Sequence, residues 1–148
     1  YQVTEAWDLM MTYGYLKSEY AGYLADLTGD GVITDNSNLV PRNTPENTFG
    51  ITTSYTTQIG NGELKGRVSY RFRDEMESES QNRPEGSLDS IENVNATISY
   101  SVENYSITAW GRNLTDEREQ RWSTIGGLTS RGWWNEPQTL GVTFKVSY

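Results

Sequence analysis

Apolar and polar side chains alternate one for one along several stretches of this chain, and that period admits few folds. Leu64, Gly66, Val68, Tyr70 and Phe72 share one face of an extended segment, with Lys65, Arg67, Ser69, Arg71 and Arg73 on the other. Side chains repeat every two residues in a strand and about every 3.6 in a helix, so the pattern predicts a strand. It recurs in Val94, Ala96, Ile98, Tyr100 and Val102, and in Leu140, Val142, Phe144, Val146 and Tyr148. Weaker copies start at Trp7, Phe49 and Ile107, the last blurred by Trp110 on its polar side. Six strands and no helix are expected.

The connections sort by length. Gln58 to Glu63 is a tight turn, with Asn61-Gly62 as the hairpin dipeptide, and Glu103-Asn104 is a second. Between these lie long polar segments, Ala21 to Glu46, Asp74 to Ser90 and Thr115 to Asn135. Short turns at one end and long loops at the other mark outer-membrane barrels. Six alternating strands bring Tyr148 to the short-turn end. The alternative with the same alternation is a soluble β-sandwich.

Composition favours the barrel. Only 34% of the 148 residues are apolar, yet there are 10 Tyr, 5 Trp and 3 Phe. Disorder would bring few aromatics, whereas one apolar face per strand with aromatic ends suits a membrane interface. No stretch reaches the roughly 18 apolar residues of a membrane helix, but closed barrels also span bilayers. The net charge of −8 argues against a nucleic-acid partner. Without Cys or His, thiol chemistry and the commonest general base are missing. No spacing pairs the Ser, Thr, Asp and Glu residues, so no enzyme, cofactor or metal assignment follows.

The last ten residues, TLGVTFKVSY, end on an aromatic with apolar residues at every second position. Leu140, Val142, Phe144, Val146 and Tyr148 resemble the C-terminal signature by which outer-membrane proteins are recognised for barrel insertion.

Three segments resemble the closing strands of TonB-dependent receptors. Asn38 to Tyr55, NLVPRNTPENTFGITTSY, is similar to a descending strand of that family. Tyr105 to Arg118 carries Asn113-Leu114-Thr115-Asp116, which matches the family's Asn-Leu-x-Asp near the end of the penultimate strand. Glu136 to Tyr148 matches the closing strand through Pro137, Gly141 and the terminal Tyr, with Gln138 where Arg often stands. The opening MTYGYLKSEYAGY resembles an ascending strand.

The resemblance implies an all-β antiparallel meander within a larger transmembrane barrel. Residues 1–148 would form its C-terminal part, with an N-terminal plug and earlier strands missing. The start reads as cut within a hairpin: Tyr1-Gln2 ends a strand, Val3 to Ala6 turn, and Trp7 begins the next. The implied function is uptake of a siderophore or other scarce nutrient across the bacterial outer membrane. The implied partners are outer-membrane lipid, that nutrient, and an energy-transducing inner-membrane complex reached through the missing part. A passive or structural outer-membrane barrel and a soluble carbohydrate-binding β-sandwich remain open.

Lys65, Arg67, Arg71 and Arg73 form a basic column that would face a barrel lumen. It would attract an anionic substrate or pair with acidic groups of a plug, of neighbouring strands, or of Asp74, Glu75, Glu77 and Glu79. Asp26 to Ser37, DLTGDGVITDNS, has Asp26, Thr28 and Asp30 at calcium-loop spacing, but Ser37 stands where a bidentate carboxylate is expected. Without flanking helices, it also reads as a loop turn. Trp122, Trp133 and Trp134 either stack on planar ligands or pack a loop onto the rim. Asn-x-Ser/Thr triplets at Asn95, Asn104 and Asn113 are taken as chance.

Overall fold

The computed structural model describes residues 2–118, 120–126 and 129–148. In chain order the strands are β1 (Gln2–Thr4), β2 (Trp7–Tyr15), β3 (Leu24–Ala25), β4 (Thr34–Asp35), β5 (Asn47–Ile59), β6 (Gly62–Arg73), β7 (Met76–Glu77), β8 (Ser87–Leu88), β9 (Ile91–Val102), β10 (Tyr105–Arg112), β11 (Gln120–Gly126), β12 (Thr129–Trp134) and β13 (Thr139–Val146). Among the described residues a single 3₁₀ turn spans Pro84–Gly86. No helix among the described residues is long and apolar enough to cross a membrane, which says nothing of strands.

One seven-stranded sheet runs β1-β2-β5-β6-β9-β10-β13, every pair antiparallel. The six expected strands are all in it, in a meander. β1 is a seventh: it runs to Thr4 rather than ending at Gln2, while Tyr1 lies outside the described residues. The long segments also carry structure that the sequence pattern missed: β3-β4, β7-β8 and β11-β12 are separate two-stranded sheets within them.

The short turns cluster at one end of the sheet and the long connections at the other. Ile59 pairs with Gly62 across Gly60 and Asn61, and Val102 pairs with Tyr105 across Glu103 and Asn104. The first turn therefore centres on Gly60-Asn61, one residue before the expected Asn61-Gly62. Gly60 takes the positive φ of 61°. Gly62 is needed for another reason: a Cβ there would run into the Tyr100 ring, whose hydroxyl donates to the Ile59 carbonyl at 3.1 Å.

The sheet is a single layer. Leu88 is the one buried apolar side chain among the described residues, and it lies in the loop layer rather than under the sheet. The accessible surface is 10690 Å². A compact monomer of 16.8 kDa would expose about 7,600 Å². Among the described residues no second sheet covers the apolar face, so the β-sandwich does not describe this chain.

Candidate functional surfaces: an apolar outer face, a cationic inner face and a loop layer

Register fixes what each face carries. On one side, Trp7, Tyr55, Gly66, Ile98, Ala109 and Val142 form a continuous cross-strand row. The next row is Leu9, Thr53, Val68, Ala96, Gly111 and Leu140. Tyr13, Phe49 and Phe72 line up nearer the long loops, and Tyr100, Ile107 and Phe144 nearer the turns. Along β6, β9, β10 and β13 the small and aliphatic residues thus hold the middle, with aromatics nearer the ends, while on β2 and β5 Trp7 and Tyr55 bring rings into the same row. This is the distribution that a bilayer core between two interfaces selects. β5, β6 and β9 have 13, 12 and 12 residues, more than the roughly 9–11 a tilted strand needs to span.

Of the residues read as an insertion signature, Leu140, Val142, Phe144 and Val146 lie on this face by register. Leu140, Val142 and Phe144 are 68%, 69% and 65% exposed, and Val146 is half-buried. Tyr148 falls beyond the end of β13 and is fully exposed. A shallow depression of about 840 Å³ opens over the small residues Gly66, Ala96, Ala109 and Gly111.

The opposite face is polar and cationic. Register puts Lys65, Arg67, Arg71, Arg73, Arg112 and Lys145 on it, with only Asp8 and Glu63 as acids, in a chain of net charge −8. Lys65, Arg67 and Arg71 are exposed and make no ion pair with the described residues. Arg73 is half-buried and donates to the Asp89 carbonyl at 3.2 Å. Two of the nearby acids are engaged by other residues. Asp74 accepts from the backbone N–H and side-chain amide of Asn47 at 3.0 and 2.7 Å, and Glu79 pairs with Arg83 at 3.2 Å. Trp110 also belongs to this face. It lies over Gly141, donates to Thr143 Oγ1 at 3.2 Å, and carries the Arg112 guanidinium 5.3 Å above its ring.

The Asn113-Leu114-Thr115-Asp116 motif is a knot at the loop end of β10. Asn113 is 4% exposed and takes φ 49°. Its amide nitrogen donates to the carbonyls of Glu117 and Glu136, both at 3.0 Å. Its Oδ1 accepts from the Glu117 N–H and the Thr115 hydroxyl at 3.2 Å, and from Asn93 Nδ2 at 3.3 Å. The Leu114 N–H reaches the Val94 carbonyl at 2.8 Å, and Asp116 Oδ1 accepts from the Gln138 N–H at 3.2 Å. The motif thereby ties β9, β10 and the lead into β13 together, next to Pro137. Asn95 and Asn113, within two of the sequence triplets, are committed to this network: Asn95 Oδ1 accepts from the Asn113 N–H at 3.0 Å.

No family model and no curated protein matches this sequence. Two solved structures share its fold over essentially its whole length. The ferric yersiniabactin uptake receptor FyuA from Yersinia pestis superposes with a TM-score of 0.82 at 12% identity, over 100% of this chain and 22% of that one. The siderophore receptor PiuA from Acinetobacter baumannii gives 0.74 at 20% identity, over 99% of this chain and 20% of that one. The fold is that of a TonB-dependent receptor barrel. The chain spans about a fifth of the length of these two receptors, and at such identity the likeness is one of architecture.

The long loops carry the remaining candidates. Asp26 does not hold its carboxylate open. Its Oδ1 accepts the Gly29 N–H at 2.6 Å and its Oδ2 the Gly31 N–H at 2.7 Å, with both glycines at positive φ. These N–H groups of Gly31 and Gly29 hold its pKa below the ordinary carboxylate value. Asp30 Oδ1 caps Val32, and Asp35 bonds Ser37. Among the described residues no three acidic side chains converge on a cation position. Strands β3 and β4, not helices, flank the loop.

Trp122 and Trp133 meet edge to face across the β11-β12 hairpin, ring centroids 6.1 Å apart, and Trp133 is 75% exposed. The hairpin docks on the 74–90 segment through Ser123. Glu77, half-buried in β7, has its pKa pushed up by burial and then by the charge on Glu79.

Proposed function

We propose that this chain is the closing part of an outer-membrane receptor whose complete form takes up a siderophore or another scarce nutrient, with energy delivered from the inner membrane. One observation carries the reading: a single-layer sheet with an aromatic-flanked, uncovered apolar face, matching siderophore receptors along its full length. Lipid would cover that face. A plug and earlier strands, outside these residues, would complete the barrel. The cationic inner face would then meet acidic groups of the plug or an anionic chelate passing it. The long loops would bind the nutrient first.

The test is uptake. The complete protein is produced in a bacterium stripped of its own siderophore receptors, and iron-55 chelates are offered. Accumulation that stops when the inner-membrane energy-coupling complex is deleted supports the reading. Accumulation that continues without it points to a passive barrel. A protein that partitions into the aqueous phase on detergent phase separation would overturn both.

A further inference from the structure

The three long loops are bonded to one another through the middle one. Asn82, at φ 48° in the 74–90 loop, uses its side-chain amide as a backbone would. The Val40 N–H of the 16–46 loop donates to Asn82 Oδ1 at 2.6 Å, and Asn82 Nδ2 donates back to the Val40 carbonyl at 3.0 Å. Asn43 N–H adds a bond to the Glu77 carbonyl at 2.7 Å. On the other flank the Ser78 hydroxyl faces the carbonyls of Gly86 and Ser123 at 2.6 and 2.9 Å. The Ser123 hydroxyl answers by donating to the Glu85 carbonyl at 2.8 Å. Ser78 and Ser123 are 6% and 1% exposed, beside the buried Leu88.

We propose that the 74–90 loop is a clasp that makes the three loops one cooperative cap. A ligand that displaces the 16–46 loop thereby also frees or orders the tryptophan hairpin β11-β12. The reason is energetic. Around Ser78 and Ser123 the hydrogen bonds are buried and cost their full desolvation when half-broken, while the solvent-exposed Asn82–Val40 pair holds the same short loop from its other side through two reciprocal bonds. Segments bound in this way open as a unit, and coupling between the two flanks acts equally in both directions. The inference rests on loop geometry and does not depend on which nutrient is carried.

Hydrogen exchange on the complete protein in detergent micelles tests it. Asn82→Gly keeps the positive φ and removes only the amide. The expected result is exchange faster by about fivefold or more both in the 16–46 loop and in β11-β12. Ser78→Ala, acting on the far seam, should loosen the segment around Val40 as well. The double variant should add little to either single one. Amides of β5, β6 and β9 should keep their protection. Loosening confined to the seam that each substitution touches, with additive effects, would overturn the clasp. If a variant fails to fold, the unmodified protein decides: exchange in graded urea should give both flanking loops the same opening free energy and the same urea slope, and two distinct openings would overturn it equally.

Discussion

Trp110 and Gly141 are direct cross-strand partners in β10 and β13, and the indole occupies the space where a Gly141 side chain would stand. A Cβ there would lie under 3.0 Å from the ring, closer than real Cβ atoms come. Glycine in a strand leaves backbone exposed and unpacked; a ring folded over it restores the packing. The Trp110-Thr143 hydrogen bond holds the ring in that position. Gly141→Ala should therefore cost about 1–3 kcal/mol, the usual range for overpacking. Urea unfolding of the complete protein in micelles measures it. Adding Trp110→Ala should recover part of that loss. If the two costs simply add, the ring does not rest on Gly141.

Asn113 should be the least replaceable residue of its motif. Asn113→Ala strips two donors from the carbonyls of Glu117 and Glu136 and puts a Cβ-bearing residue without a side-chain amide at φ 49°. Each buried unmet group costs about 1–3 kcal/mol, so a loss of at least about 3 kcal/mol is expected. Asn113→Gly keeps the backbone geometry and should cost less than Ala. The same unfolding measurement ranks the two. An alanine variant as stable as the glycine one would mean that the left-handed backbone carries no strain.

The main sheet was legible because a strand buried or lipid-covered on one face must alternate, and β6, β9 and β13 do so without interruption. The turn at Gly60-Asn61 was not legible. Gly60-Asn61-Gly62 contains two overlapping dipeptides, and what chooses between them is Tyr100, some forty residues on, whose ring requires Gly62 in the strand. The two-residue strands β3, β4, β7 and β8 are too short to show any period. The β11-β12 hairpin mixes Trp, Arg and Ser along both strands and so shows no clean alternation. The Asn113 motif could be matched to a pattern, but its partners Asn93, Asn95 and Glu136 are distant in sequence and only the fold gathers them. The basic column was visible as a column; that Asp74 and Glu79 turn to Asn47 and Arg83 was not.

Acid should act on the loops in two opposite ways. Asp26 has a folded pKa below its unfolded value, so its bonds to Gly31 and Gly29 contribute stability above the ordinary carboxylate pKa, lost as pH falls through the lower folded value. Glu77 is the reverse. Its folded pKa is raised, so its charge opposes the folded loop at neutral pH, and the penalty fades as pH drops through that raised value. Glu77→Gln should thus slow exchange in the 74–90 loop at pH 7 and change little below the ordinary carboxylate range. Loop exchange in the variant that matches the parent at pH 7 would remove burial as the cause of the shift.

Val142 and Thr143 are neighbours in β13 that point to opposite faces, Val142 across from Ala109 and Thr143 across from Thr108. They test the proposed lipid and lumen faces with a single type of substitution. Val142→Lys would place a charge within the apolar band, in the row of Ile98 and Ala109. In an outer-membrane barrel that costs about 2–4 kcal/mol at the bilayer midplane. Thr143→Lys enters the polar face, already lined by Lys65 and Ser99 in the same row. Its cost should stay within about 0.5 kcal/mol, as for surface changes, apart from the lost bond from Trp110 of about 1 kcal/mol. Reversible unfolding of the complete protein from lipid vesicles reads both. Were the two lysines to cost the same, the exposed row of Leu140, Val142 and Phe144 would face something other than hydrocarbon.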